Sequence, residues 1–374
     1  MRMLVTPTMV AGRLRPLALS SSRFYTTNAE KPPLKLVAEL RKLTEVSITK
    51  AREALAASNN DVPSALRWLQ NDLAISGAKK AAKIAHRTAS EGLVGASVLS
   101  RGTGSSPGGV RAALVELNCE TDFVARNALF GRLVADVAHT AAFLAESGSS
   151  PNEPLRNEHE HEKTYIHPVP RDRLLNAPLL SSVEGLEFSS HNSYVNADPT
   201  NGGMQGTVGN AIRDAIAKLG ENIVLQRAAS VVHDPVPRVR GDLGLRVASY
   251  THGGVSPSQG GRIGALALIA LKSPRLTPLL SSLDFRQELE RIERSLARQI
   301  VGFDTLAIRG EEGALYDQPF MMFGDAHDEE TVGAGLARWA RQKLLVLDTD
   351  GAEAGGVEVV EFVKWTVGES SDAT

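Results

Sequence analysis

The stretch RAALVELNCETDFVARNALFGRLVADVAHTAAFLA, residues 111–145, passes from a strand pattern directly into a helical one. Residues 111–120 are a partly alternating apolar run, which is typical of a strand in a sheet. Residues 127–145 carry apolar side chains at the three-to-four spacing of one buried helix face. Because the period changes within a few residues, the sequence predicts a sharp strand-to-helix corner at residues 117–127.

A second apolar run, residues 91–100, precedes this strand, and GTGSSPGG lies between the two. Glycine and proline in the connection favour a turn, so the two runs predict a long hairpin. A helical pattern that ends at Gly220 and a strand pattern at 222–232 complete the set. The order strand, strand, helix, helix, strand then recurs. Its strand patterns lie at 244–251, 262–271 and 357–366, and its helical patterns lie at 283–300 and from 331–333 onward.

The repeated order of elements predicts the fold class. A duplicated unit of this kind is an α+β arrangement with antiparallel sheets, and it lacks the alternating βαβ order of a nucleotide-binding sheet. We therefore expect a core of two related α+β subdomains, residues 91–240 and 241–370. Residues 148–206 lose all periodicity and gather Ser, Pro, Asn and Gly, so we expect a flexible surface insertion there.

Three short helical patterns precede the core, in residues 31–75. Ser47 and Asp61 stand where N-caps are expected, because their side chains can accept hydrogen bonds from the free amides of the next turn. The Ala- and Lys-rich residues 76–90 predict a polar linker helix. We expect a compact three-helix module whose small core and exposed loops favour binding over catalysis.

Residues 1–30 have the composition of an organelle targeting segment. They hold four arginines, several serines and threonines, and no acid before Glu30. A cationic, hydroxyl-rich leader of this kind is typical of a mitochondrial transit peptide. We expect a leader that is removed near Tyr25 and a protein that works in the mitochondrial matrix. An ordinary disordered tail is the alternative interpretation.

The composition of the 374 residues excludes several classes of protein. The longest strongly apolar stretch, GALALIAL at 264–271, is far shorter than the roughly 20 residues of a membrane-spanning helix, so we expect no membrane partner. The net charge of −2 disfavours broad binding to nucleic acid. The chain has no G-x-x-x-x-G-K-[ST] phosphate motif, and its single cysteine cannot form an internal disulfide or a multi-cysteine metal site. We expect no cofactor and no metal.

The corner at residues 117–127 permits two interpretations. Thr121 or Asp122 can cap the following helix, and Phe123 can pack back onto the core as a hydrophobic staple. Alternatively, Asp122 and Phe123 lie exposed on a rigid corner, where an aromatic ring can enter a partner's pocket as an anchor. Composition alone does not choose between these interpretations.

Cys119, at the end of the same strand, supports a rival hypothesis. A lone cysteine with histidines elsewhere in the chain can act as a nucleophile. The adjacent acids Glu120 and Asp122 would raise the pKa of the thiol, and free cysteines are often buried. A buried structural cysteine is therefore favoured over a thiol enzyme.

The segment ELNCETDFVARN, residues 116–127, resembles the signature of the elongation factor Ts family, the nucleotide exchange factors for translation elongation factor Tu. Further segments are similar to family segments in the same order. They are LVAELRKLTEVSITKAREAL, DVPSALRWLQ, LGENIVLQRA, SYTHGG and QPFMMF with TVGAGLA. Several ordered matches over most of the chain are more specific than any single one.

The resemblance implies a mechanism without bond chemistry. In the family, the phenylalanine of the corner, here Phe123, wedges into the GTPase domain of elongation factor Tu near its magnesium site. The aspartate, here Asp122, acts beside it. The other matching positions of the corner are Thr121, Val124 and Asn127.

The resemblance also implies contacts outside the corner. The amino-terminal module resembles a ubiquitin-associated domain that docks on the same GTPase domain, with Arg41, Ser47 and Ile48 at the matching surface. His252 matches a second contact on the core, and the extended loop HGGVSPSQGGRIG is expected to separate it from the next strand. Because the second half lacks the heptads of a long coiled-coil hairpin, we expect a one-to-one heterodimer with mitochondrial elongation factor Tu.

Two other classes stay open on the residues alone. A ubiquitin-type binding module without exchange activity would account for residues 34–73 alone and leave the duplicated core unexplained. A thiol enzyme would depend on Cys119.

Overall fold

The structure is a computed structural model. It describes residues 32–44, 46–105, 108–145, 164–182, 206–235, 242–255, 259–310, 312–324, 330–343, 345–349 and 352–369. The predicted transit peptide and its cleavage point lie outside the described residues. The chain forms two compact units, residues 1–66 and residues 67–374.

The first unit contains the predicted short helices. Helix α1 spans Leu34–Thr44, α2 spans Ile48–Ala57, and α3 begins at Val62. Both predicted N-caps are present: the Ser47 side chain accepts from the Lys50 amide at 3.2 Å, and Asp61 Oδ2 accepts from the Ser64 amide at 2.9 Å. The apolar faces of these helices are buried, in residues Val37, Leu40, Ala51, Ala54, Leu55 and Ala65.

Helix α3 is longer than the sequence predicts. It runs without a break through Val62–Ile84, so the predicted linker helix at 76–90 is largely a continuation of the third helix. Gly77 lies inside this helix. A Cβ at this glycine would lie 3.3 Å from the Arg213 carbonyl oxygen, so glycine lets α3 approach its neighbour closely without ending the helix.

The first sheet lies in the second unit and matches the predicted hairpin. Within the described residues, its strands are ordered β1, β2, β4, β3, and every neighbouring pair is antiparallel. The strands are β1 Glu91–Arg101, β2 Val110–Cys119, β3 Ile166–Pro168 and β4 Val224–His233. The helices of this half are α4 Asp122–Ala125, α5 Ala128–Leu144, α6 Arg171–Asn176 and α7 Val208–Leu219.

The second sheet repeats this plan. Its described strands are ordered β5, β6, β9 and are antiparallel, in the same way that β1, β2 and β4 follow one another. The strands are β5 Leu243–His252, β6 Ile263–Lys272 and β9 Gly356–Thr366. The other elements are α8 Leu276–Ser281, α9 Leu283–Gly302, a 3₁₀ turn Leu315–Asp317, α10 Val332–Gln342, and a small strand pair, β7 Leu347–Thr349 with β8 Ala352–Ala354.

The two sheets pack face to face, and helices cover their outer faces. Leu114 of β2 and Leu266 of β6 belong to one buried cluster between the sheets. Their strand neighbours Val115 and Ala267 point the other way, into clusters shared with α5 and α9 respectively. Both faces of these strands are buried, which explains why they read as continuous apolar runs instead of alternating ones.

The repeated order strand, strand, helix, helix, strand is therefore present in both halves. Matching helices α7 and α10 each begin after a threonine N-cap, Thr207 and Thr331, and Gly220 ends α7 with a positive φ of 81°. The predicted α+β class with antiparallel sheets is confirmed. The likeness of the first unit to a ubiquitin-associated domain stays a prediction.

The expected insertion at 148–206 differs from the prediction in part. Residues 164–182 contain β3, which pairs with β4, and α6. Asp136 of α5 anchors the end of this segment, because its carboxylate accepts from both the amide and the hydroxyl of Ser182, at 2.8 and 2.9 Å. The sequence lacks periodicity here because such short elements are too brief to produce any. The rest of the insertion lies outside the described residues.

No helix in the described part of the chain is long and apolar enough to span a membrane.

Candidate partner-binding site

The predicted corner forms between β2 and α5. Thr121 caps the short helix α4, its hydroxyl accepting from the Val124 amide at 3.4 Å, and Asn127 caps α5 by accepting from the Leu129 amide at 2.8 Å. Val124 is buried, with 8% of its surface exposed. The Phe123 side chain, in contrast, is 82% exposed. Thr121 therefore caps the helix as one interpretation predicted, and Phe123 lies exposed as the other predicted. Phe123 is not a staple on the core.

Phe123 is unusual among the described residues. Among the large apolar side chains of those residues, the Phe123 side chain has the largest exposed fraction. An apolar ring left in water at the tip of an ordered corner contributes little to its own fold. Val124, Thr121 and Asn127, by comparison, hold the corner in shape through burial and capping.

The corner faces the loop that carries the predicted contact His252. A cavity of about 340 Å³ is lined on one side by Asp122 and Arg126, and on the other by Gly253, Gly254 and Val255. Val255 is 69% exposed. The structure thus brings the two predicted regions, more than a hundred residues apart in the chain, to the same cavity.

Two backbone hydrogen bonds tie this loop to β1. The Val94 amide donates to the Gly261 carbonyl at 2.7 Å, and the Gly261 amide donates to the Val94 carbonyl at 2.9 Å. His252 itself pairs with Ile263 of β6, and its exposed ring stacks against Tyr250 at a centroid distance of 6.4 Å. The expectation that the extended loop separates His252 from the next strand is wrong, because His252 is itself paired with Ile263 of that strand.

Charged groups surround the cavity. Asp122 forms an ion pair with Arg126 at 3.3 Å, and Arg262 pairs with Glu91. The first pair is well exposed, so it contributes little to stability and its groups are accessible to a partner. In the part of the chain that the structure describes, no group of histidine, cysteine or acidic side chains could hold a metal ion.

The other predicted contact residues lie in the first unit. Ser47 is the N-cap of α2, and Ile48 at its start is 48% exposed. The Arg41 guanidinium donates from Nε to the Val46 carbonyl at 3.2 Å and is exposed. Ile48 and Arg41 therefore form a mixed apolar and cationic surface at the turn between α1 and α2.

Cys119 is buried, with none of its surface exposed. Burial, and to a smaller extent the charges of Glu221 and Glu91, raise the pKa of its thiol to about 12. The predicted direction of the shift is correct, but its main cause is burial and the contributing acids are not the two neighbours in sequence. A neutral, buried thiol cannot serve as a nucleophile, so the thiol-enzyme hypothesis is wrong.

The state of this thiol gives a testable prediction. Cys119 is the only cysteine, so we expect the native chain to react with a disulfide-type thiol reagent at pH 8 roughly 100-fold or more slowly than the urea-unfolded chain. The native pKa lies above the unfolded value of 9.0, so stability is also lost as pH rises from 9 towards 12. Cys119→Ala should weaken that loss. Labelling of the native chain at the unfolded rate would contradict the prediction.

Sequence reasoning missed the residues that support the corner from other parts of the chain. Glu221 and Asn222, in the loop after α7, hydrogen-bond to Thr121 and Glu120. The cavity residues of the hairpin tip were also missed, apart from the histidine beside them. No local pattern in the sequence signals these contacts, because the two loops lie one hundred residues apart in the chain.

No protein-family model matches the chain. Three curated proteins are similar to it over nearly their whole length. The protein named elongation factor Ts, mitochondrial, of Laccaria bicolor is 50% identical over 355 residues, covering 94% of this chain and 96% of the relative. Its namesake in Coprinopsis cinerea is 50% identical, covering 93% and 95%. Elongation factor Ts, mitochondrial 2, of Postia placenta is 44% identical, covering 96% and 99%.

These relatives define the class of the protein, a nucleotide exchange factor of translation elongation without bond chemistry of its own. The chain belongs to the elongation factor Ts family, and it is mitochondrial. A ubiquitin-type module without exchange activity is therefore not the class of this protein, since the likeness spans the core as well as the amino-terminal helices.

Proposed function

We propose that this chain promotes GDP release from mitochondrial elongation factor Tu by inserting Phe123 beside the magnesium and phosphate site of that GTPase. The observation that carries the proposal is the 82% exposure of an aromatic ring on a corner that is held by the buried Val124 and by the capping residues Thr121 and Asn127. An aromatic side chain on a rigid support loses little conformational entropy on binding, which is why such residues anchor interfaces.

Asp122 acts beside the ring. Its carboxylate is held by Arg126 at 3.3 Å in an exposed pair, so a partner's cationic group can replace the arginine at small cost. The cavity next to it, bounded by Gly253 and Gly254, receives a partner side chain. His252, exposed at the base of the same hairpin tip, is the second contact on the core.

The mechanism needs differential affinity and no bond breaking. A ligand shifts an equilibrium only by as much as it prefers one state, and coupling between two ligands is reciprocal. If the chain binds the empty GTPase more tightly than the GDP-bound form, GDP binding must weaken by the same factor. The ring and Asp122 supply that preference, because the position they occupy disturbs the contacts of Mg²⁺ and phosphate.

The first unit supplies affinity for the same GTPase. Ile48, 48% exposed, and Arg41 offer an apolar and a cationic contact at the α1–α2 turn, with Ser47 fixing the start of α2. We propose that this module, which resembles a ubiquitin-associated domain, docks on the GTPase and raises the local concentration of the corner. The resulting complex is a one-to-one heterodimer, which light scattering at several concentrations would test.

The direct test is the dissociation rate of fluorescent GDP from mitochondrial elongation factor Tu, followed by stopped flow with increasing amounts of the chain. We expect the rate to rise and saturate, with a ceiling well above the spontaneous rate. A rate that does not change with added chain would refute the proposed function.

The hairpin tip gives a further prediction. A Cβ at Gly261 would lie 2.2 Å from the His252 carbonyl oxygen, so Gly261→Ala must displace the tip and its hydrogen bonds to Val94. We expect a loss of roughly 1–3 kcal/mol in the free energy of unfolding and slower GDP release at a fixed, subsaturating factor concentration. Gly324→Ala, where an added Cβ meets no atom of the described residues within 4 Å, is the matched control. Equal behaviour of the two variants would contradict the prediction.

A further inference from the structure

Glu221 holds the exchange corner from a loop one hundred residues away. Its Oε2 accepts from the Thr121 amide at 3.0 Å, and its Oε1 accepts from the Thr121 hydroxyl at 2.6 Å. Resting on the proposed function, we propose that Glu221 is a positioning residue for nucleotide exchange. It fixes Thr121 and thereby sets the direction in which Phe123 leaves the surface.

The hydrogen bonds of the Thr121 hydroxyl support this role. A hydroxyl has one proton to donate and lone pairs with which to accept. The proton goes to Glu221 at 2.6 Å, which leaves a lone pair for the Val124 amide at 3.4 Å. Glu221 therefore fixes the rotation of the hydroxyl that caps α4. Without it, the same hydroxyl could turn away and leave the cap unmade.

A reciprocal contact strengthens the junction. The Asn222 amide donates to Glu120 Oε1 at 2.7 Å, and the Asn222 side chain donates from Nδ2 to the Arg87 carbonyl at 2.8 Å. Arg87 also pairs with Glu120 at 3.5 Å. The two segments are thus joined by a matching pair of bonds. The Glu221 carboxylate accepts from the Thr121 amide, and the Glu120 carboxylate accepts from the Asn222 amide.

The corner depends on such external support because α4 has only four residues. A helix of this length does not form by itself, since its first turn costs more conformational entropy than its hydrogen bonds return. Val124 and Ala125 anchor its inner side by burial. Phe123, with 82% of its surface exposed, has little packing of its own to set its direction. The orientation of the ring is therefore set by the backbone of the corner, which Glu221 fixes through Thr121.

The test measures GDP release from mitochondrial elongation factor Tu at saturating concentrations of the full chain. We expect Glu221→Ala to lower the maximal rate roughly tenfold and Glu221→Gln, which keeps one acceptor oxygen, roughly threefold. The half-saturating concentration should change less, by under about threefold, because the other contacts remain. In a Phe123→Ala background, Glu221→Ala should change the rate by less than about twofold, since it acts through the ring.

Asp136→Ala is the matched control, because Asp136 also accepts from the amide and the hydroxyl of one residue, Ser182, through its Oδ1 and at a different surface. We expect it to lower thermal stability without lowering the maximal rate. An equal loss from Glu221→Ala with and without Phe123, or an unchanged maximal rate, would overturn the positioning role while leaving the proposed function intact. Failure of the wild-type chain itself to accelerate release would instead refute the proposed function, and this inference with it.

Discussion

Phe123→Ala is expected to lower the maximal rate of GDP release from elongation factor Tu by roughly 30-fold or more, the loss that corresponds to truncating an interface hot spot. The free energy of unfolding should change by less than about 0.5 kcal/mol, because the side chain is 82% exposed and packs little against its own domain. Stopped-flow release and urea unfolding on the same preparation measure both quantities.

Phe143→Ala is the matched control for this experiment. Phe143 is also an exposed phenylalanine of the first sheet's half, with 59% of its surface in water, but it lies near the end of α5 away from the capped corner. We expect it to leave GDP release unchanged. A loss of roughly 3–5 kcal/mol in stability on Phe123→Ala, the cost of removing a core phenylalanine, would show that the ring packs within its own domain and would contradict the account.

Arg246→Met is expected to cause the largest loss of stability among the predicted variants. The Arg246 guanidinium binds Glu293 of α9 through two bonds, at 2.5 and 3.0 Å, and donates to the Thr103 carbonyl at 3.0 Å. Both side chains of the ion pair are almost fully buried. Removing the arginine leaves a buried carboxylate without its partner, which costs roughly 3–5 kcal/mol. Urea unfolding at pH 7.5 measures the loss.

The pH dependence of this variant has a defined sign. Burial raises the pKa of Glu293 even with Arg246 present, and loss of the arginine should raise it further. A folded pKa above the unfolded value of 4.5 gives stability that is present at low pH and lost as pH rises through the folded pKa. The deficit of Arg246→Met relative to the wild type should therefore be smaller at pH 5.5 than at pH 8.

Two control variants test whether the loss of stability in Arg246→Met comes from the unpaired buried charge. The double variant Arg246→Met with Glu293→Leu should regain most of the loss, because no unpaired charge remains inside. Arg309→Met removes an arginine that pairs with Glu358 at 3.0 Å, but both side chains of that pair are 61% exposed, so we expect a loss of about 1 kcal/mol or less. A similarly small loss of stability for Arg246→Met would contradict the claim that Arg246 stabilises the fold as the partner of a buried carboxylate.

The sequence predicts the elements of the core well, and the reason is burial. Strands β2 and β6 are covered on both faces, and their continuous apolar runs make them easy to recognise. Helices such as α7 carry their own signals, with Thr207 as the cap and Gly220 as the stop. These signals are local, so periodicity and capping residues suffice to read them.

The candidate site is harder to predict because it is assembled from distant residues. Local chemistry left Phe123 undecided between a staple and an exposed anchor. Nothing near Thr121 in sequence indicates that Glu221 completes its hydrogen bonds, and nothing near Asp122 indicates that Gly253 lies across a cavity from it.

The central claim is that the chain binds the empty GTPase more tightly than the GDP-bound GTPase. The most direct measurement is the affinity of the full chain for mitochondrial elongation factor Tu, titrated once without nucleotide and once with saturating GDP and Mg²⁺. The account predicts binding at least about 100-fold tighter without nucleotide, the coupling of roughly 3 kcal/mol that effective exchange requires. Equal affinities in the two titrations would contradict it, because a ligand without a preference cannot shift the equilibrium.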